Sequence, residues 1–165
     1  MTSSRRSEPF ALLRRRLAQA AAITAAWMFA PIAAAQVTVT DAWVRGTVEG
    51  QTATAAYMKL RGDGGARLVS IASPAAARCS LHQMTTVDNV MRMRTLEMLP
   101  IPAGGSAELK EGGDHIMLEG LARPLKAGDV VRLTLTFVDP SGVRRTVDVQ
   151  APVRPLGAPS LPSTR

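Results

Sequence analysis

Both histidines of this 165-residue chain, His82 and His115, lie in one stretch with five of its eight methionines, Met84, Met91, Met93, Met98 and Met117. Four of these residues follow the spacing His82-x10-Met93-x21-His115-x-Met117. Thioether sulfur is soft and uncharged, and imidazole is borderline. A set of two each favours Cu(I), and without carboxylate or thiolate it suits Mg²⁺, Ca²⁺ and structural zinc poorly. Methionine cannot be consumed by disulfide formation, although it still oxidises to sulfoxide. Each residue alone also has a plainer role: a histidine satisfied at the surface, a methionine filling a core or its rim. The joint spacing is what raises metal binding above these.

Such donors need elements that hold them on one face. In a strand, side chains alternate between faces. In Leu81-His82-Gln83-Met84, residues 82 and 84 share a face. In His115-Ile116-Met117-Leu118, residues 115 and 117 share one, leaving Ile116 and Leu118 for a core. Met91 and Met93 alternate with Arg92 and Arg94, so an ordinary strand there would bury the methionines and expose the arginines.

Period-2 alternation recurs along the chain. Val131, Leu133, Leu135 and Phe137 are apolar, with Arg132, Thr134 and Thr136 between them, and Val147 and Val149 flank Asp148. Val37–Thr40, Thr54–Leu60 and Arg67–Ile71 are further strand candidates. Breakers separate them, among them Asp63-Gly64-Gly65, Pro100-Ile101-Pro102, Gly112-Gly113 and Pro140-Ser141-Gly142. No long segment has helical periodicity, and the spacing of turns predicts an all-β sandwich or barrel. The stretch 151–165 carries four prolines and reads as a Pro-rich disordered tail.

Residues 1–35 read as a secretory signal. Arg5 to Arg16 form a cationic region, Ala20–Ala30 an uncharged one of eleven residues, and Ala33-Ala34-Ala35 a small-residue cleavage site, with cutting expected after Ala35. Arg5-Arg6 and Arg14-Arg15 hint at twin-arginine export, but the residues after each pair fit the Sec route better. Five arginines against Glu8 give this segment +4 of the net +7. The rest of the chain is weakly basic, its longest cationic run being Arg144-Arg145. That is too sparse for a nucleic-acid stripe. Aromatics are 4% of residues, too few for a base-stacking platform. A single cysteine excludes an intramolecular disulfide framework and a multi-cysteine zinc site. The expected organisation is a leader at 1–35, one copper-binding domain at 36–150 and a tail at 151–165, with no stable membrane insertion once the leader is removed.

The four-residue spacing resembles that of the periplasmic copper chaperones of the PCu(A)C family, without a gap. The resemblance extends to Asp41-Ala42-Trp43-Val44-Arg45, to Thr54-Ala55-Ala56-Tyr57-Met58, and to runs from Ile101 through Gly112-Gly113-Asp114-His115-Ile116-Met117-Leu118 to Phe137. It implies a cupredoxin-like, Greek-key antiparallel β-sandwich holding one Cu(I) near its surface through His82, Met93, His115 and Met117. It also implies delivery of copper to a respiratory oxidase in the periplasm, most often for the dinuclear copper centre of cytochrome c oxidase, either directly or through an intermediate copper carrier. Two positions depart from the family. Asp114 stands where an aromatic is usual, and a carboxylate beside the site would raise the pKa of His115 or steer a cation. Cys79 replaces an aliphatic residue.

Three other function classes bear on the same residues. Cys79-x2-His82-x-Met84 is reminiscent of a blue-copper electron carrier, which needs a thiolate and two histidines with a distant axial methionine. Cys79 and His82 have opposite parity on one strand, however, and His115 follows the loop where such carriers supply a histidine well before it. An enzyme would want a Ser/His/Asp set, a phosphate-binding glycine loop or paired carboxylates near a histidine, and none is found. An interaction sandwich without a metal remains as the third class.

Overall fold

A computed structural model of the chain describes residues 37–88 and 90–157, and every regular element among them is a strand. The strands are β1 (Val37–Arg45), β2 (Ala53–Gly62), β3 (Ala66–Ala72), β4 (Ala76–Val87), β5 (Val90–Leu96), β6 (Leu99–Ile101), β7 (Gly105–Leu109), β8 (Asp114–Leu121), β9 (Val130–Val138) and β10 (Arg144–Arg154). The expected leader lies outside the described residues, as do positions 158–165 of the expected tail.

The strands form one hydrogen-bonded path, β5-β4-β8-β2-β1-β10-β9-β3-β6, with β7 also on β2. Among the named strands the ladders are antiparallel except for a short parallel join of β1 to β10, Val44 opposite Val153 and Arg45 opposite Arg154. The path folds back so that β3 meets β4 and β6 meets β7. One core lies between the two halves, built of Val44, Met58, Leu60, Ile116 and Leu118 from one side and Leu68, Ile101, Leu133, Leu135 and Phe137 from the other. The expected all-β sandwich is therefore the architecture. Burying each of the large apolar side chains contributes roughly 1.5–3 kcal/mol.

The alternation of β9 is followed to the letter, Val131, Leu133, Leu135 and Phe137 being buried and Arg132 exposed. The expected boundary at residue 150 needs correction. β10 continues through Arg154, with Ala151 and Val153 buried and Ala151 paired to Val131. Pro152 falls on the exposed side of that alternation, so the proline density of the segment hid a strand end. Pro100 likewise sits in a strand, but β6 is three residues long and ends the path, an edge where a missing N–H is tolerated.

β1 changes phase. Val37 and Val39 pack on the core, and so do Ala42 and Val44. Between them the register slips by one, from Thr40 opposite Lys59 to Trp43 opposite Tyr57, and Asp41 takes a positive φ of 54°. This is a bulge: one extra residue whose insertion bends the strand. Its effect is to put Trp43 on the outer face, where it packs with Ala55 and Tyr57 apart from the main core.

Candidate metal centre

The outer face of β5-β4-β8-β2-β1 carries the candidate ligands in rows set by the pairing register. The central row is Thr95, His82, His115. His82 on β4 lies opposite both Thr95 on β5 and His115 on β8. Tyr57 and Trp43 continue it on β2 and β1, with ring centroids 5.8 Å apart for His82–His115, 6.5 Å for His115–Tyr57 and 4.5 Å for Tyr57–Trp43. Arg45 stands over the Tyr57 ring and Arg154 over that of Trp43. One row away is Met117, between Ser80 and Ala55. On the other side of the histidines Met84 faces Met93, and beyond it Thr86 faces Met91. The opposite face of the same strands holds Leu81, Ile116 and Leu118 in the core, as alternation requires.

Each imidazole is held by a short-range contact. Nδ1 of His115 lies 3.0 Å from the Gly113 carbonyl oxygen. A carbonyl can only accept, so Nδ1 carries the proton and Nε2 of the neutral ring keeps its lone pair. His115 is 5% exposed, which fixes that orientation. Nε2 of His82 lies 2.9 Å from the Ser80 hydroxyl, which can donate or accept. Nδ1 of His82 is buried without any hydrogen-bond partner, the one such side-chain nitrogen or oxygen among the described residues. Leaving a buried polar atom unpaired costs about 1–3 kcal/mol, so it asks for a ligand. Burial holds the His82 pKa below the ordinary imidazole value, the nearby His115 adds to the shift, and Glu119 opposes it. The ring is therefore neutral at neutral pH, the state in which it can ligate.

An open depression of about 400 Å³ on this face is lined by His115, Met117, Met84, Met91 and Met93, with Tyr57 and Arg45 among its other walls. Three of the four expected ligands, Met93, His115 and Met117, thus share one cavity. His82 does not line it, but stands against His115 at its edge. Met98 lies between β5 and β6, away from the cavity. Met91 and Met93 are not buried as they would be in an ordinary half-buried strand. All of β5 except Leu96 is exposed, because among the described residues it is the last strand of the path, and Met91 and Met93 are 65% and 52% exposed. Among the described residues no three His, Cys, Asp or Glu side chains gather as metal donors, so soft donors dominate the chemistry available here.

The two departures fall elsewhere. Cys79 pairs with Leu118 and packs against the core, on the opposite face of β4 from His82, and burial pushes its thiol pKa up. Asp114 precedes His115 in β8 and by alternation faces away from it. Sequence reasoning missed Ser80 and the Gly113 carbonyl as the groups that orient the imidazoles, and the Trp43–Tyr57 wall beside them. Ser80 could have been found from its i, i+2 relation to His82. Trp43 could not, because its face depends on the bulge.

The family model described as "Putative lipoprotein LpqE-like" matches residues 37–153. A relative from Leifsonia xyli subsp. xyli, "Putative lipoprotein Lxx21020", is 39% identical over 119 residues, covering 72% of this chain and 69% of its own. Among solved structures, that of CuI-DR1885 from Deinococcus radiodurans is 39% identical with a TM-score of 0.54, covering 74% of this chain and 81% of that one. The copper-bound PCuAC domain from PmoF2 has a TM-score of 0.55 over 73% of this chain and 97% of its own, at 19% identity, a likeness of fold alone. The expected resemblance and the cupredoxin-like fold are both borne out by these neighbours.

Proposed function

The chain belongs to the LpqE-like family, and from that premise we propose that it is an exported Cu(I) carrier that hands its metal to the copper site of a respiratory oxidase. Copper is its cargo. One Cu(I) is held by His82, Met93, His115 and Met117, and the domain performs no catalysis. The observation that carries this reading is the direct pairing of His82 with His115 across β4 and β8, on the face that also bears the thioethers. The likeness to a Cu(I)-bound structure at 39% identity supports the choice of metal.

The arrangement suits a carrier. Neutral imidazoles and thioethers bind Cu(I) without adding negative charge, and the shallow, open site lets an acceptor's donors replace them one at a time. Exposed Met93 lies at the rim and buried His115 at the floor, so exchange would begin at the thioether. Cys79 is turned away with its thiol held protonated, which weighs against an electron carrier of the blue-copper kind. The segment 1–35 would direct the chain to the periplasm, where such acceptors assemble.

The test is a Cu(I) titration under reductant, followed by mixing of loaded protein with apo acceptors. One colourless equivalent, with mixed nitrogen and sulfur scattering in X-ray absorption, and transfer to an apo dinuclear-copper subunit or to an intermediate carrier are expected. An intense blue oxidised form, or no copper binding, would overturn the reading.

A further inference from the structure

We propose that Met84, Met91 and Met93 form a second, weaker Cu(I) site, built of thioethers alone, through which the metal enters and leaves the histidine pair. This rests on the reading of the protein as a Cu(I) carrier and concerns a site that shares only Met93 with the expected four-ligand set. The register places the three residues together. Met84 on β4 is opposite Met93 on β5, and Met91 is opposite Thr86, one row further along the same hairpin. Directly opposite residues have Cβ atoms about 4.5–5.5 Å apart, and diagonal pairs such as Met84 and Met91 stay within reach of long side chains. Methionine is unbranched and flexible enough to bring its sulfur across such a gap. All three line the depression that His115 and Met117 also line.

Packing does not account for these side chains. β5 alternates Val90, Arg92, Arg94 with Met91, Met93, Thr95, a pattern that in an inner strand would bury one face. Among the described residues β5 is an edge with β4 as its single strand neighbour, and all of it but Leu96 is exposed. Two large apolar side chains are therefore exposed side by side, at 65% and 52%, at a position where water gains nothing from them. A soft, neutral cluster is what Cu(I) would recognise, and a hard hydrated cation would not. The rows then run outward from buried His115, through the Met84–Met93 pair, to Met91 near the hairpin tip, so that a metal ion could pass between neighbouring donors without returning to water.

The test uses Cu(I) under reductant with a competing chromogenic chelator. In the double variant His82→Ala/His115→Ala, affinity should fall by more than about 100-fold, since even loss of groups that merely orient ligands costs up to that. One weak equivalent should remain, with sulfur-only scattering in X-ray absorption. Adding Met84→Leu and Met91→Leu, exposed or rim swaps of similar size, should remove it. Circular dichroism checks that each variant is folded. Because His115 is buried, a second arm keeps both histidines: Met91→Leu in the otherwise intact protein should slow Cu(I) uptake from the chelator several-fold more than it weakens equilibrium binding. A folded double-histidine variant that binds no Cu(I), or whose weak site survives the leucine changes, would overturn the second site. So would an unchanged uptake rate in Met91→Leu. Wild-type protein that binds no Cu(I) at all would instead sink the carrier reading.

Discussion

Cys79 and His82 stand on opposite faces of β4, the thiol against the core beside Leu118 and the imidazole on the outer face across from His115. Cys79→Ser should therefore leave Cu(I) stoichiometry and affinity nearly unchanged. It should cost on the order of 1 kcal/mol or more in stability, because a hydroxyl replaces a small apolar group against a packed interior. Cys79→Val should be milder. Chelator competition run beside a thermal melt measures both. Lost copper binding with the fold intact would put the thiolate in the coordination sphere.

The pH dependence follows from His82. Its folded pKa lies below the ordinary 6.5, chiefly through burial. The unfolded chain thus takes up the proton first as pH falls, and ∂ΔG/∂pH is positive below about 6.5. The apo domain should hold its stability above that value and lose part of it as the pH drops further. Protons compete with the metal for the same nitrogens, so copper affinity should also begin to fall only below about 6.5. Melts and copper competition between about pH 7 and 5, the range of imidazole titration, would show it. An affinity flat across that range would argue against the histidines as ligands.

Peroxide should discriminate among the methionines. Met91 and Met93 are exposed, whereas Met58 is buried in the core at 2%. Peptide mapping should find sulfoxide first at 91 and 93 and last at 58. Copper affinity should drop as the first two oxidise, since sulfoxide replaces the soft donor. Equal rates at Met58 and Met91 would contradict the placement of β5.

The end of β10 offers a test of the corrected boundary. Val153 is buried and pairs with Val44 where β1 joins β10. A chain ending at Gln150 loses this join and the burial of Ala151. The Val153 side chain alone should account for roughly 1.5–3 kcal/mol. A melt of that truncated chain indistinguishable from the full one would show that the join adds nothing to stability.

How much could be read beforehand depended on whether local pattern and tertiary setting agreed. Leu133, Leu135 and Phe137 announced their strand because β9 is regular, inner and half-buried in the ordinary way. His82 and His115 were legible as a pair from spacing, and their faces from parity with Leu81 and Ile116. Met91 and Met93 were not, because alternation tells which residues share a face and says nothing of whether that face is covered. In an edge strand it is not. Ala151 and Val153 were hidden by the prolines around them, although Pro152 sits harmlessly on the exposed side.

The bulge at Asp41 also bears on which changes of length β1 can absorb. It holds one residue more than its partner needs between Thr40 and Trp43. A chain lacking Asp41 would regain unbroken alternation, with Val37, Val39, Ala42 and Val44 still inward and Trp43 still outward. Only its ion pair with Lys59, 3.5 Å away, would go. β9 has no such slack, since its pairing with β10 runs unbroken from Val130 to Val138. Deleting Thr134 would set Val131 and Leu133 out of phase with Leu135 and Phe137, and part of the core would turn to solvent. Deletion tolerance should thus be concentrated at Asp41, beside the aromatic wall of the copper face, and absent from the strand that anchors the opposite sheet.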